Sequence, residues 1–244
     1  MKSFLKFFLK HYLKFLAKLN LLIHRPKIIA IAGSTNKTFV KEEIGKVLEK
    51  HNLSFRLNPR NFNTEIGLPL AVLNLKSGYN FYLDWIPAVF KAPFSIFSAN
   101  YPKILVLELG IAEPGDMKFL LSIIRPNVRV ITDITQRYRE SFDDMDELTG
   151  EYALFLKTAE KGDLVILNSD NDKIAEISKE SKARVIMFSL HNVSPWQGKI
   201  TEKTDIYQKI FVHGEEYKIL RHGDHHAYAL LIGLIIEKYV CEKK

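Results

Sequence analysis

The sequence has little of several features that would narrow its function at once. Its 244 residues contain one cysteine, Cys241, so no disulfide can form within the chain and a reducing, cytoplasmic location is expected. Repeats and low-complexity tracts are absent. Apolar residues make up 47% and charged residues 26%, which is typical of a globular protein rather than a disordered one. The length suits one large α/β domain or two small ones.

Acidic residues are absent from the first 27 positions, which contain seven lysines and arginines. The whole chain has 35 basic and 28 acidic residues, a net charge of +7, so the remainder is balanced at 28 against 28. The excess of positive charge therefore belongs to the N-terminal segment. A basic face on the body of the protein is not implied, and no nucleic-acid partner is expected.

Residues 1–24 predict a basic amphipathic helix ahead of a domain at 25–244. Lysines recur every four residues from Lys2 to Lys18, and at about 100° per residue they form one slanting stripe opposite Phe and Leu side chains. They interrupt the apolar run well short of the ~20 residues that a bilayer-spanning helix needs, and no secretory cleavage site follows. Two interpretations are open. The helix packs on the domain or a partner protein, or it lies in an anionic membrane surface, which would make the protein peripheral at the inner face of the membrane.

From Lys27 onward, short β-branched runs alternate with helical patterns, which predicts an α/β fold with a mostly parallel sheet and helices on both faces. Residues 198–221 instead predict a small antiparallel ribbon that turns at His213-Gly214. The aromatic-rich residues 78–98 predict a broken pair of helices. The predicted strands are 27–32, 103–109, 127–134, 164–168 and 184–188, and the predicted helices are 37–50, 114–124, 144–160, 172–181 and 224–240.

A polar loop between the first strand and the helix that follows is the sharpest local signal for a site. It reads Gly33-Ser34-Thr35-Asn36-Lys37-Thr38 and leads into a helix N-terminus, where backbone N–H groups and the helix dipole favour a phosphate. Lys37 would reach the β- and γ-phosphates of a nucleotide, and the Thr38 hydroxyl would bind Mg²⁺. A phosphate loop normally has glycine before the lysine, where this chain has Asn36, so an ordinary polar turn is the alternative.

Further short motifs follow in order along the chain. They are Arg60-Asn61-Phe62-Asn63-Thr64-Glu65-Ile66-Gly67-Leu68-Pro69, Val106-Leu107-Glu108-Leu109-Gly110, Pro114-Gly115-Asp116, Arg125-Pro126-Asn127, Ile131-Thr132-Asp133-Ile134, Asn168-Ser169-Asp170 and Gly223-Asp224-His225. From Lys27 to Tyr239 this series resembles the central, P-loop ATPase domain of the Mur ligases, the ATP-dependent amide ligases of peptidoglycan precursor synthesis. The resemblance is strongest to the branch that adds D-alanyl-D-alanine to a UDP-muramoyl tripeptide, and it covers the central domain only.

The resemblance implies ATP and Mg²⁺ as cofactors and a UDP-muramoyl peptide as substrate. It implies a reaction in which a carboxylate becomes an acyl phosphate and an amine then attacks it. Lys37 and Glu108 would be the catalytic residues, and Thr38 and Glu108 would hold Mg²⁺. A solvated carboxylate at the end of a strand is the alternative for Glu108.

The resemblance also assigns binding residues. Asn61, Asn63 and Thr64 would line the substrate side of the cleft, although polar residues capping the next helix fit the same pattern. Asp170 would approach the nucleotide, with a turn-forming role as the alternative. The full set of implied nucleotide-binding residues is Gly33, Ser34, Thr35, Asn36, Lys37, Thr38, Asn168, Asp170 and His225.

Several positions depart from the family pattern. Asn36 replaces a glycine and Phe39 a second hydroxyl residue, while Tyr138 stands where a histidine assists metal binding. The lysine that family members carbamylate has no counterpart in Thr149-Gly150-Glu151-Tyr152, and His226 and Ala229 replace two asparagines on the adenine side. Asn tolerates a left-handed backbone, so Asn36 is expected to preserve the loop.

The other replacements predict weakened nucleotide binding and an impaired ligase. A non-catalytic nucleotide-binding or scaffold module at the membrane surface is the alternative. The motifs at 63–67 and 125–126 count against a third class, a P-loop kinase or unrelated ATPase.

Overall fold

The computed structural model describes residues 2–78, 85–135 and 141–242. A central sheet of seven parallel strands has the order β2-β3-β1-β4-β5-β6-β7, which confirms the predicted α/β architecture. The strands are β1 (Lys27–Ala32), β2 (Phe55–Leu57), β3 (Ile104–Glu108), β4 (Val128–Ile131), β5 (Leu164–Asn168), β6 (Arg184–Ser189) and β7 (Trp196–Gln197).

Helices cover both faces of this sheet. They are α1 (Lys2–His24), α2 (Lys37–Lys50), α3 (Gly67–Leu73), α4 (Trp85–Ser95), α5 (Asp116–Leu121), α6 (Met145–Lys157), α7 (Asp172–Ile177) and α8 (Asp224–Ile236). A 3₁₀ turn, Ser178–Glu180, continues α7, and a π-helical turn, Glu237–Cys241, continues α8. Within the described residues, no helix is both long enough and apolar enough to cross a membrane.

The core consists of two apolar layers, one on each face of the sheet, and successive side chains of β1 belong to one layer and the other in turn. Ile28, Ala30 and Ala32 face the layer beneath α1 and α3 to α7, while Ile29 and Ile31 face the layer beneath α2 and α8. Because both faces of the sheet are covered, the strands read as continuous apolar runs, as a buried parallel sheet requires.

The predicted antiparallel ribbon is a separate three-stranded sheet. Its strands are β8 (Lys199–Lys203), β9 (Gln208–Val212) and β10 (Glu215–Ile219), with β9 in the middle. The predicted turn joins β9 to β10 through His213 at φ 51° and Gly214 at φ 91°. Positive φ at two successive residues matches the twist of a tight hairpin.

The N-terminal helix α1 packs on the domain. Leu13, Leu16 and Ala17 are buried in the same apolar layer as α3 and α4. Side chains of α1 also satisfy the backbone of α4, since Asn20 Nδ2 donates to the Ser95 carbonyl at 3.2 Å and His24 Nε2 to the Ile96 carbonyl at 2.8 Å. These are carbonyls at a helix end, which lack partners within the helix. The helix is therefore part of the core, the first of its two interpretations.

The aromatic-rich segment, residues 78–98, differs from its predicted structure in detail. Residues 79–84 lie outside the described residues, and the rest of the segment contains one continuous helix, α4, instead of a broken pair. Pro93 lies inside α4 and removes the N–H that the Val89 carbonyl would accept. The Tyr12 hydroxyl of α1 donates to that carbonyl at 3.0 Å, so the helix continues past the proline.

Candidate nucleotide site

Three strand ends meet where the sequence predicts the site. Strand β1 lies between β3 and β4, so the loop after β1, Glu108 at the end of β3 and Thr132-Asp133 after β4 share the carboxyl edge of the sheet. Ligands of open α/β sheets bind at this edge. The sheet order thus brings together residues that are far apart in the sequence.

The backbone of the loop after β1 has a positive φ at two positions. Gly33 has φ 141°, and a Cβ there would lie 2.0 Å from Thr132 Oγ1, so only glycine fits between β1 and β4. Asn36, at the start of α2, has a left-handed φ of 63°. The asparagine therefore adopts the conformation for which glycine is usually selected, as the sequence predicts.

Asp133 holds this loop in place. Its carboxylate accepts the Thr35 N–H at 2.7 Å and also the Thr35 hydroxyl, and its carbonyl accepts the Ser34 N–H at 3.0 Å. Thr132 Oγ1 donates to the Thr35 carbonyl at 2.7 Å. With Ser34 and Thr35 anchored to β4, the residues that follow open α2 with their N–H groups toward the cleft, as in any helix N-terminus.

Lys37 and Thr38 lie at the mouth of the loop. The Lys37 ammonium folds back and donates to the Gly33 carbonyl, so its charge lies over the loop. A cleft of about 340 Å³ opens in front of these residues. It brings together most of the predicted phosphate, metal and substrate residues, and its lining is Ser34, Thr35, Asn36, Lys37, Thr38, Phe39, Arg60, Asn61, Asn63 and Glu108.

Thr64 has a different position from the two asparagines. Its hydroxyl accepts the Gly67 N–H at 3.4 Å, at the first residue of α3. This is the helix-capping role that was the alternative for these polar residues. Asn61 and Asn63 instead line the cleft opposite the phosphate loop.

Glu108 is buried and paired with a lysine, rather than solvated at a strand end. The carboxylate is 5% exposed, and its Oε1 lies 2.8 Å from the Nζ of Lys41, which is 4% exposed. Lys41 Nζ also donates to the Asn58 carbonyl at 2.7 Å, and Asn58 Oδ1 accepts the Glu108 N–H at 3.0 Å. The Lys41–Glu108 contact is an ion pair, and Oε1 has no hydrogen-bond donor besides the Lys41 ammonium among the described residues. The pair fixes the carboxylate on the floor of the cleft.

The chemistry of this floor fits Mg²⁺. The Thr38 hydroxyl and the Glu108 carboxylate are both oxygen ligands, they line the same cleft, and Oε1 of Glu108 is a buried acceptor with no described partner besides the Lys41 ammonium. Mg²⁺ takes one or two such protein ligands and completes its shell with phosphate and water oxygens. Lys41 offsets part of the carboxylate's charge, which weakens the attraction for a cation.

Asn168 and Asp170 support the loops around the site. Asn168 Nδ2 donates to the Thr132 carbonyl at 3.1 Å. The Asp170 carboxylate accepts the N–H groups of three successive residues after β6 at 2.5–3.2 Å, and the Tyr228 hydroxyl at 2.9 Å. Burial alone would raise the pKa of this carboxyl, but these hydrogen bonds outweigh burial and lower it. The contacts are those of a turn, the alternative to a nucleotide contact.

His225 belongs to an aromatic cluster beside the loop. Its ring centroid lies 4.7 Å from that of Phe39 and 4.2 Å from that of His226, and the Phe39 and His226 centroids are 4.8 Å apart. Burial, with positive charge from His225, Arg221 and other neighbours, lowers the pKa of His226 to about 4. His226 is therefore neutral at pH 7. Phe39, which replaces a hydroxyl residue, packs at the junction of α2 and α8.

Two further positions differ from the family pattern. Tyr138 lies outside the described residues. In the stretch without the expected lysine, the Glu151 carboxylate accepts the N–H groups of Gly115 at 2.9 Å and Met117 at 2.7 Å. The carboxylate therefore binds the N-terminus of α5, where negative charge is favoured.

Sequence reasoning missed three residues of the site. Asp133 follows a threonine just after β4, and Arg60 precedes the predicted asparagines. Lys41 shares the helical spacing of Ile44 and Leu48, which are buried. A lysine on the buried side of an amphipathic helix indicates a buried acidic partner, because an unpaired buried charge is costly. That signal was present at Lys41.

Comparison with known proteins decides the family. A model of the Mur ligase middle domain matches residues 86–236, more than half of the chain. The chain belongs to the Mur ligase family. The match begins at residue 86 and does not include the phosphate loop, which is characterised by its geometry alone.

Individual Mur ligases extend the similarity. The UDP-N-acetylmuramoyl-tripeptide–D-alanyl-D-alanine ligase of Borreliella burgdorferi is 24% identical over 207 residues, which are 83% of this chain and 39% of that protein. The ligase of the same name from Rickettsia prowazekii is 28% identical over 158 residues, 64% of this chain and 30% of that protein. The chain therefore spans less than half the length of these relatives.

Solved structures show the same fold. The crystal structure of MurF ligase from Thermotoga maritima in complex with ADP has a TM-score of 0.76 and 18% identity, and covers 96% of this chain and 50% of that chain. A crystal structure of MurF from Acinetobacter baumannii has a TM-score of 0.74 and covers 91% of this chain and 45% of that one. The described architecture is that of a Mur ligase central domain.

Proposed function

We propose that this protein binds Mg²⁺-ATP at the loop after β1. The observation that carries the proposal is the left-handed Asn36, which opens α2 toward a cleft that also contains Lys37, Thr38 and Glu108. Helix N-termini of this kind bind phosphate through backbone N–H groups. Lys37 would leave the Gly33 carbonyl for the β- and γ-phosphates. The Thermotoga relative was crystallised in complex with ADP, which supports an adenine nucleotide as the ligand of this chain.

The reaction class we propose is that of the family, ATP-dependent joining of an acid to an amine in peptidoglycan precursor synthesis. A carboxylate oxygen of a UDP-muramoyl peptide would attack the γ-phosphorus as the bond to ADP breaks. The amine would then attack the acyl carbon, lose a proton and displace phosphate. Asn61 and Asn63, across the cleft from the loop, would orient the peptide, and Lys37 would stabilise the charge that develops on the γ-phosphoryl group.

Thr38 and Glu108 would hold Mg²⁺, which supplies charge neutralisation at the β- and γ-oxygens. We infer that this chemistry is impaired here. Lys41 offsets the charge of Glu108, and Glu151 binds the end of α5 in the stretch without the expected lysine. Phe39 and His226 pack together where the family has polar groups.

A test of nucleotide binding uses the full chain and titration calorimetry with Mg²⁺-ATP. The wild type is expected to bind and to melt at a higher temperature with the nucleotide, since a ligand of the folded state stabilises it. Lys37→Ala should lose binding with its fold intact. Lys46→Ala, on the exposed side of the same helix, is the matched control and should bind like the wild type. A wild type that neither binds nor shifts its melting temperature would refute the site.

The second candidate is a non-catalytic nucleotide-binding or scaffold module. The buried Lys41–Glu108 pair favours it, because a carboxylate already paired is a weaker metal ligand. The two candidates differ in their response to restored family residues. Asn36→Gly with Tyr138→His should raise ATP hydrolysis if the site is an eroded ligase, and leave it unchanged in a scaffold.

We also propose that residues 1–24 attach this cytoplasmic protein to the inner face of the membrane or to a partner protein. Helix α1 packs on the domain through one side and leaves Phe15 and Leu22 exposed on the other.

A further inference from the structure

Two neighbouring helices leave rows of large apolar side chains exposed. On α4, Phe90 and Phe94 are 71% and 75% exposed at helical spacing, on the side opposite the buried Ala88 and Ala92, and Phe97, in the turn after the helix, is 81% exposed. Helix α1 also has exposed apolar residues outside its buried side. They are Leu5, Phe7, Phe8, Phe15, Leu19, Leu22 and Ile23. Contiguous apolar surface of this kind marks an interaction site.

The two rows belong to one rigid surface. Helices α1 and α4 run alongside each other, since Tyr12 bonds to Val89 near their middles and His24 bonds to Ile96 near their C-terminal ends. Both helices rest on the same apolar layer of the core. We call the exposed rows of α1 and α4 together the aromatic face.

The segments that form the aromatic face contain basic residues and no acidic ones, and Glu65, from a neighbouring segment, pairs with Lys6 at 3.0 Å. Neither residues 1–27 nor residues 85–102 contain aspartate or glutamate. Lys18 of α1 and Lys91 of α4 are exposed at its borders. Lys10 and Lys14 turn inward, with their ammonium groups 4.0 Å and 4.7 Å from the centroid of the Phe119 ring. Lys10 and Lys14 of the predicted lysine stripe therefore contribute little to the surface charge beside the aromatic face. Lys18 and Lys91 supply positive charge there.

A basic cavity adjoins the end of α1. Its volume is about 770 Å³, and its lining includes Lys18, Leu22, Arg25, Lys27 and Arg125. Leu22 belongs both to this cavity and to the aromatic face. Arg125 also pairs with Glu160 at the surface. The cavity lies at the amino edge of β1, at the opposite end of that strand from the phosphate loop.

We propose that the aromatic face and the basic cavity together dock on an anionic lipid bilayer. Phenylalanine and leucine side chains would enter the boundary between headgroups and acyl chains, and the cavity would receive a lipid phosphate. A second copy of the chain fits less well, because a symmetric contact through this face brings Lys18 and Lys91 near residues of the same charge. The proposal deepens the attachment proposed above and stands apart from the nucleotide site, which opens at the other end of β1.

The experiment is co-sedimentation of the full chain with vesicles of phosphatidylcholine alone and of phosphatidylcholine mixed with phosphatidylglycerol. The wild type is expected to bind the anionic vesicles and to leave them at high salt, because screening weakens the attraction. Phe90→Ser with Phe94→Ser should weaken binding about tenfold or more, since it removes two large apolar groups from the contact. Lys18→Gln with Lys91→Gln should weaken binding to anionic vesicles by about tenfold.

The chain offers matched controls for both pairs. Ile206→Ser with Leu220→Ser removes apolar side chains of equal exposure, 74% and 77%, from the antiparallel sheet and its flank. Lys182→Gln with Lys199→Gln removes the same charge from exposed positions elsewhere. Both controls should bind like the wild type. Melting curves and Mg²⁺-ATP titration of each variant report whether the fold and the nucleotide site are intact. A loss of vesicle binding is therefore distinguished from a loss of nucleotide binding.

Three results would overturn the proposal. The first is a wild type that stays in solution with anionic vesicles, and the second is equal binding to neutral and anionic vesicles. The third is a dimer in sedimentation velocity that Phe90→Ser with Phe94→Ser dissolves, because the aromatic face would then be an interface between two copies.

Discussion

Asn36 holds the phosphate loop in a backbone conformation that most side chains avoid, with φ 63°. A β-branched residue in the left-handed region costs about 1–2 kcal/mol, whereas glycine adopts it freely. Asn36→Val should therefore lower the free energy of unfolding by about 1–2 kcal/mol, and Asn36→Gly should leave it nearly unchanged. Urea denaturation measures both. Equal losses for the two variants would show that the loop does not require this conformation.

Asp170 predicts a pH dependence of stability. Its pKa is lowered in the folded protein, because the hydrogen bonds from Leu190, Asn192 and Tyr228 outweigh the effect of burial. A carboxyl whose folded pKa lies below its unfolded pKa stabilises the protein fully above the unfolded value, and loses that contribution as pH falls through the folded value. Asp170→Asn should therefore cost about 2 kcal/mol at neutral pH and progressively less in acid.

The measurement for Asp170 is the difference in free energy of unfolding between wild type and variant, followed from neutral pH into acid. Asp205→Asn, at an exposed turn, is the matched control, and its difference should stay small throughout. A constant difference for Asp170→Asn would mean that the carboxylate's charge is not what holds the turn after β6.

At the scale of elements, α1 is an integral helix of the core. Leu13 is fully buried against the layer that α3 and α4 share, while Phe15 is 64% exposed two residues later. Leu13→Ala should lower the free energy of unfolding by about 2–5 kcal/mol, because it removes buried methyl groups and leaves a cavity. Phe15→Ala should change it by about 0.5 kcal/mol or less. Thermal and urea melts of the two variants compare the faces directly, and equal effects would contradict this packing.

Elements with a strong local signal are predictable from the sequence. The bounds of β1, β5 and α2 match their predictions, because β-branched runs and polar turns mark their ends. Strand β2 is three half-buried residues without a clear pattern, and it was not predicted. Pro93 suggested a break in α4, yet the hydroxyl that compensates for its missing N–H belongs to Tyr12, which is 77 residues from its acceptor Val89 in the sequence. Local patterns contain no information about such a partner.

The same limit applies to the candidate site. The loop from Gly33 to Thr38 was predictable, because a strand, a polar turn and a helix occur in one continuous stretch. The Lys41–Glu108 pair depends on the position of β3 beside β1 and on Asn58 after β2, and the predicted elements did not fix either one. The loop residues and Glu108 were predicted from their own segments, whereas the contacts of Lys41 and Asp133, which join different segments of the chain, were missed.

At the scale of the molecule, we expect this chain alone not to ligate. Bringing an acyl phosphate and an amine together in one cleft is worth about 7–11 kcal/mol of the barrier. The chain spans 39% of the Borreliella relative and 30% of the Rickettsia relative, and its Glu108 carboxylate is already paired with Lys41. Incubation with Mg²⁺-ATP, a UDP-muramoyl tripeptide and D-alanyl-D-alanine should yield weak ATP hydrolysis at most. A peptide-extended product in mass spectrometry would contradict the expectation.

The position of β1 has a consequence for how the protein is made. This strand is the first in the chain and lies inside the sheet, between β3 and β4. The loop that follows it is fixed by Asp133, which is 98 residues further on from Thr35. A nascent chain that ends before Asp133 therefore contains the sequence of the phosphate loop but lacks the residue that holds the loop in its folded conformation. A nucleotide at this loop would therefore bind only after β4 has been made and has paired with β1, and it would not stabilise the earlier stages of folding.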